Sequence, residues 1–306
     1  HSDLELAMGL TRRDVLGDRV QAALEPLLGV FLAFGCAAGL MRRFIADEVS
    51  KTRVSEELFR NNSPTTKLMG LLFRSLGHEY AVYVLQPVVA EAVAHPDTPA
   101  VDLCQHLLSH RVYGSCEAVP KLLRQLLHDV RETVALRFPQ QALLSVGAFY
   151  FLRFLVPALV SPASEGIVSA DQVTPAALKL LRAVSAVLQK LANGLVAGRT
   201  DEEQAFFERN LPLVLELLET LSSVEPAEDA ALDRPSVCVD AQLHLLADLV
   251  AKNFDAVARY ARTSGHGIDL AKLAAAVGVS KKHLHDGLPA PAPSTSTTTT
   301  SSSSKP

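Results

Sequence analysis

The run from Ala142 to Pro162, ALLSVGAFYFLRFLVPALVSP, carries one charge, Arg153, with a proline four residues after it. No other stretch restricts the fold as strongly. A guanidinium keeps its proton, so burying it without partners is costly. The segment therefore lies either in a membrane or in a core where Arg153 has fixed acceptors. A charge at the centre of a span is rare and expensive. The second uncharged run, Leu27 to Met41, is shorter than a span needs. Both runs read as buried core helices. If the longer one is helical to Val156, Pro157 cannot donate to the carbonyl of Arg153, and its ring crowds that carbonyl. The spacing predicts a helix that kinks or ends there. Arg153 then either bonds main-chain carbonyls of a neighbouring loop or snorkels to the surface.

The remaining composition points to an all-α protein. Leu and Ala fill long stretches with few turn signals, and 48% of the 306 residues are hydrophobic, enough for one large or two small cores. A net charge of -4 argues against a protein that coats nucleic acid. Four cysteines, Cys36, Cys104, Cys116 and Cys238, stand far apart, which fits a reducing compartment and suggests neither a zinc site nor a disulfide framework. No phosphate-binding glycine loop and no nucleophile elbow occurs, and the histidines are scattered as surface or satisfied core residues. The first residue is His1 and no signal-peptide pattern follows it, so the sequence is expected to be a piece of a longer chain.

Periodicity and caps give the organisation. Residues 1–20 are expected as an N-terminal flanking helix, and Gln21 to Arg60 as two or more helices. Ser63 followed by Pro64 starts a helix running to about Leu76, with a second from Tyr80 to Ala94, kinked near Pro87. Helices follow at Val101–Leu108, Ser115–Arg137 and Pro139–Arg153. After the turn-rich SPASEGIVSADQVTP comes a strongly periodic helix, with Gly198 near its stop. Glu202 to Ser222 holds one or two helices. An acidic linker (225–238) precedes a helix pair over Val239–Ala276, within a C-terminal extension (239–287). The Ser/Thr/Pro-rich tail (288–306) has the composition of a disordered segment.

Arg60 is the second arginine of interest. In ELFRNNSPTTK it falls at a helix end or in the loop before the Pro64 helix, beside two asparagines that tolerate unusual backbone angles. An arginine on a short loop held at both ends by helices can project into a partner. It can equally pair with Glu56 or Glu57 one turn back.

The segment FLRFLVPALVSP resembles the signature FLRxxxPAxxxP of the Ras GTPase-activating (RasGAP) domain, at Phe151, Leu152, Arg153, Pro157, Ala158 and Pro162. LFRNNSPTTK is similar to that family's Leu-Phe-Arg marker, at Leu58, Phe59, Arg60, Asn62, Ser63 and Lys67. VLQKLAN resembles a third family block through Gln189 and Asn193. The resemblance implies an all-α, RasGAP-like fold over residues 21–224, a central catalytic helical bundle with flanking extra helices. It also implies a monomer that binds a GTP-bound Ras-like small GTPase and switches it off. By the match, Arg60 is the arginine finger inserted into the GTPase, and Arg153 braces the finger loop through its main chain. Contacts to the GTPase are implied for Leu58, Phe59, Asn62, Leu152, Pro157, Gln189 and Asn193, and Lys67 is implied both at that interface and as a support of the finger loop. The chain needs no cofactor or metal of its own, because GTP and Mg2+ belong to the partner. The expected location is cytoplasmic, with recruitment to the inner face of a membrane by parts outside this chain.

Some positions depart from the pattern. Ala186 stands where many members carry a lysine three residues before the glutamine of the third block. Thr200, beside Arg199, stands near another lysine position, and Pro64 replaces a commoner leucine. The groove is then less basic, which bears on affinity and choice of GTPase. Two other readings remain: a binder of the GTP form without catalysis, and DNA binding by DLAKLAAAVGVSKKHLHDGL, which resembles a helix-turn-helix.

Overall fold

A computed structural model describes residues 2–195, 197–198, 200–223, 239–265 and 267–278. All regular structure among them is helical. The acidic linker, the Ser/Thr/Pro tail, Arg199 and the second half of the helix-turn-helix-like segment lie outside the described residues.

Residues 1–20, expected to hold one helix, hold α1 (Ser2–Leu10), α2 (Arg13–Leu16) and a 3-10 turn. After α3 (Val20–Ala33), α4 (Ala37–Lys51) stops well before Arg60, which leaves that arginine on a loop. The Pro64 helix does not break after Leu76. It runs unbroken as α5 (Pro64–Ala94), through Gly77 and Pro87. Gly77 reads as a breaker in sequence, yet it is a point of close approach: a Cβ there would lie 2.7 Å from Phe154 Cζ and 3.2 Å from Leu123 Cδ1. Gly77→Ala is expected to lower stability by about 1–3 kcal/mol through overpacking. An unchanged or raised melting temperature, the effect of helix propensity alone, would contradict this packing.

The apolar run does not end at Pro157 either. It starts as α8 (Ala142–Gly147), widens to π spacing over Ala148–Leu155 and resumes as α9 (Val156–Val160). Val156 donates to Phe151 five residues back. The widened turns sit immediately before the proline that cannot donate, so the chain continues where a regular α ladder would be broken. The stretch Pro139–Val160 is long and apolar enough to cross a membrane, and 61% of its most apolar window is buried in the protein. Phe149, Tyr150, Phe151, Phe154 and Leu155 form part of the main core. Beneath it the Tyr80 hydroxyl bonds those of Tyr150 and Ser115, so these buried oxygens are satisfied. Burial pushes Tyr80 up to about 12.

The remaining helices enclose this centre. They are α6 (Ala100–Leu107), α7 (Lys121–Ala135), α10 (Pro175–Ala192) and α11 (Asp201–Ser222). The stop of α10 is Gly194, at φ 69°, and not Gly198. Its N–H bonds the Leu191 carbonyl, and the Leu195 N–H bonds Lys190, which closes the helix end. Thr200 caps α11 by accepting from Glu203 N–H.

The C-terminal region has three helices instead of a pair: α12 (Val239–Lys252), α13 (Phe254–Ser264) and α14 (Leu270–Ala276). Leu10, Val15 and Leu16 from the N-terminal helices join Phe254, Val257 and Ala274 in a second, smaller apolar cluster. The two ends of the described chain thus pack on each other.

Candidate functional site

The loop between α4 and α5 is fixed from several directions. Ser63 caps α5, accepting from Thr66 N–H (3.2 Å) and donating to Glu48 Oε2 (2.5 Å). Thr66 Oγ1 donates to the Asn61 carbonyl at 2.9 Å, and the neighbouring Thr65 bonds the Phe44 carbonyl. At the other end the Arg60 N–H closes a turn onto the Glu57 carbonyl.

Phe59 makes the bend. Its φ of 56° is the one positive value at a non-glycine among the described residues. The neighbouring asparagines, which tolerate such angles, do not take them. A left-handed residue other than glycine costs roughly 1–2 kcal/mol. Burying a phenylalanine side chain returns about 1.5–3 kcal/mol, and an aromatic pair adds about 0.5–1.5 kcal/mol. Phe59 has both: it is 3% exposed, and its ring lies 4.8 Å from that of Phe149. Packing therefore outweighs the strain and holds the bend.

Arg153 meets the same loop. Its Nη2 donates to the carbonyls of Phe59 and Arg60 at 3.1 Å and of Asn61 at 3.5 Å. Its Nη1 donates to Asn62 Oδ1 at 3.3 Å. Of the two fates open to Arg153 from its spacing, the geometry is the bonded one. The planar fork of donors suits a row of main-chain carbonyls, where a lysine would supply a single point charge. Arg60 itself is exposed, and its side chain makes no hydrogen bond or ion pair among the described residues. Neither Glu56 nor Glu57 takes it.

A groove of about 480 Å³ runs beside the loop, lined by Arg60, Leu144, Leu152, Arg153, Gln189 and Asn193. Gln189 and Asn193 stand one turn apart, with Asn193 Nδ2 bonded to the Gln189 carbonyl at 2.7 Å. The fold thus brings together residues from three distant parts of the sequence. Ala186, exposed on the same helix, adds no charge.

Some expected contact residues are placed elsewhere. Leu58 and Phe59 are 6% and 3% exposed, so they chiefly anchor the loop, although both still border the groove. Asn62 is exposed but is not among the groove-lining residues. Pro157 lines a neighbouring hollow with Arg74 and His78, which shares Arg153 with the groove. Lys67 makes no side-chain bond to the loop among the described residues; Thr66 holds it instead. The Thr66 tether and the Glu48–Ser63 bond escape a sequence reading, since nothing local marks Glu48 as facing a residue 15 positions later. A larger cleft of about 960 Å³ lies against Asn61 and Ser63, lined also by Arg12, Arg43, Glu48 and Tyr260. Arg60 does not line it.

A family profile described as GTPase-activator protein for Ras-like GTPase (RasGAP) matches residues 101–193, which include Arg153 and the Gln189–Asn193 block. Residues 101–193 thus carry the RasGAP family match. The RasGAP match begins after Arg60, so the loop that carries Arg60 lies outside it. Among curated relatives, the inhibitory regulator protein IRA2 of Saccharomyces cerevisiae is 24% identical over 192 residues, 57% of this chain and 6% of that protein. The GTPase-activating protein of Drosophila melanogaster is 28% identical over 213 residues, 62% of this chain and 18% of its own length. The Ras GTPase-activating protein 3 of Mus musculus is 26% identical over 170 residues, 49% of this chain and 20% of its own. The chain thus spans a fifth or less of each of these three relatives.

Proposed function

We propose that this chain accelerates GTP hydrolysis by a Ras-like GTPase, with Arg60 entering the partner's active site. The observation that carries the reading is an exposed arginine whose side chain has no partner among the described residues, on a loop whose three carbonyls are bonded by a second arginine. Hydrolysis of GTP builds charge on the phosphate oxygens in the transition state. A guanidinium held where that charge develops lowers the barrier. The loop needs little reorganisation to do this, because its bend and its carbonyls are already fixed. Leu152, Gln189 and Asn193 form the floor on which the GTPase docks. GTP and Mg2+ come with the partner, and this chain contributes a side chain and no cofactor. It is an activator whose catalytic group works in a site completed by two proteins.

A transition-state mimic tests the reading. GDP with aluminium fluoride should trap a stable complex between the chain and a Ras-like GTPase. A complex that forms equally well with the GTP analogue alone and gains nothing from the fluoride would favour a binder without catalysis.

Thr66→Val removes the tether to Asn61 while keeping the side-chain shape. Stability should fall by about 0.5–1.5 kcal/mol, and the activated rate at saturating chain should fall with it. Parent-like turnover in a measurably destabilised Thr66→Val protein would show that this tether does not position Arg60.

A further inference from the structure

Ser63 is followed by Pro64 and preceded three residues earlier by Arg60, in the order Arg-Asn-Asn-Ser-Pro. A serine before proline is what proline-directed protein kinases accept, and some of them also read an arginine three positions before. Here that arginine is exposed, as are Asn61 and Asn62 between the two. Ser63 itself has extended backbone angles, φ -72° and ψ 164°, the form in which kinases bind a substrate chain. Its side chain is part-buried and lines the open 960 Å³ cleft.

We propose that Ser63 is a phosphorylation site for a proline-directed kinase and that the modification switches the finger loop off. In the reaction, Ser63 Oγ attacks the γ-phosphorus of MgATP. A new O–P bond forms, the bond from the γ-phosphorus to the β,γ-bridging oxygen breaks, ADP leaves, and the hydroxyl proton passes to the kinase's carboxylate base.

The site is built so that a phosphate cannot be neutral in effect. Ser63 Oγ now donates to Glu48 at 2.5 Å. A phosphoserine carries about −1.5 to −2 charge at neutral pH and has no hydrogen to donate there, so the two anions repel. The cap and the segment behind it must shift, and that segment includes the Asn61 carbonyl held by Thr66 and Arg153. Arg60, three residues away, has no ion pair among the described residues, and a phosphate is the anion a guanidinium binds best, through two parallel bonds. A phosphate in the same loop therefore competes with the partner's phosphates for one guanidinium. Lys67, one turn along α5, is a second cation within the same segment.

The modification rests on the sequence and geometry of Ser63; its effect on activation rests on the reading of Arg60 as the finger. Two measurements keep these apart. In the first, the folded chain is incubated with a proline-directed kinase and labelled ATP, and the sites are mapped by mass spectrometry. Label is expected at Ser63, lost in Ser63→Ala and strongly reduced in Pro64→Ala. Absence of label at Ser63 overturns the proposal. In the second, phosphoserine is installed at position 63 during synthesis and phosphate release from a GTP-loaded Ras-like GTPase is followed. The phosphorylated chain should melt cooperatively and activate roughly tenfold less or worse, as expected when a charge-assisted contact is diverted. Activation equal to the parent's overturns the switch. If the parent also fails to activate, the reading of the finger is what has failed, and the labelling result still decides the site.

Discussion

Arg60→Ala should fold like the parent, still bind a GTP-loaded Ras-like GTPase, and lose roughly 10³–10⁵-fold in the activated rate, the value of an arginine supplied in trans to such a reaction. Folding is spared because the side chain is exposed and bonds nothing within the described residues. Binding is largely spared because Leu152, Gln189 and Asn193 remain on the groove. Arg60→Lys should recover little, since an ammonium lacks the forked donors that grip a phosphoryl group. The check is single-turnover hydrolysis at saturating chain, with affinity for the GTP-analogue form measured separately. Loss of affinity together with rate would make Arg60 an anchoring contact; full activity would leave a binding protein.

Arg153→Ala should reduce both stability and activation. Three carbonyls and the Asn62 side chain lose their common donor. The loss should be about 1–3 kcal/mol, mostly from the part-buried bond to Phe59, since the bonds to Arg60, Asn61 and Asn62 are exposed to water. The bend at Phe59 then keeps its ring packing, the Arg60–Glu57 turn and the Thr66 tether but loses its brace, so Arg60 is held less firmly. Arg153→Lys should regain more stability than activity, because one ammonium can take up carbonyls but lacks the planar fork by which Nη2 meets the carbonyls while Nη1 meets Asn62. Thermal denaturation and phosphate release, measured on the same preparations, separate the two effects. A variant that melts and activates like the parent would remove Arg153 from the bracing role.

The parts of this fold legible in sequence were those set by local chemistry. The Ser63–Pro64 cap marked the start of α5, and the single charge in an apolar run marked Arg153 as a residue needing acceptors. What could not be read depended on partners far along the chain. Gly77 looks like a helix stop until Phe154 is found against it. Pro157 looks like a terminus until the ladder before it widens to π spacing. The stop of α10 was misplaced at Gly198 although Asn193–Gly194 carries the local signal. In the site, the three blocks pointed to Arg60, Arg153, Gln189 and Asn193, and the fold brings them onto one groove. The family marker implies contacts for Leu58 and Phe59 together with Arg60. The left-handed turn at Phe59 puts its ring into the core while both residues still border the groove. A sequence motif ties such residues together without saying which of them serve the partner and which hold the loop.

The most direct measurement is phosphate release from a GTP-loaded Ras-like GTPase in a single turnover, with and without this chain in excess. The account predicts an acceleration of several orders of magnitude for the parent and a rate near that of the GTPase alone for Arg60→Ala. An unaccelerated rate with the parent, under conditions where the two proteins demonstrably bind, would contradict it.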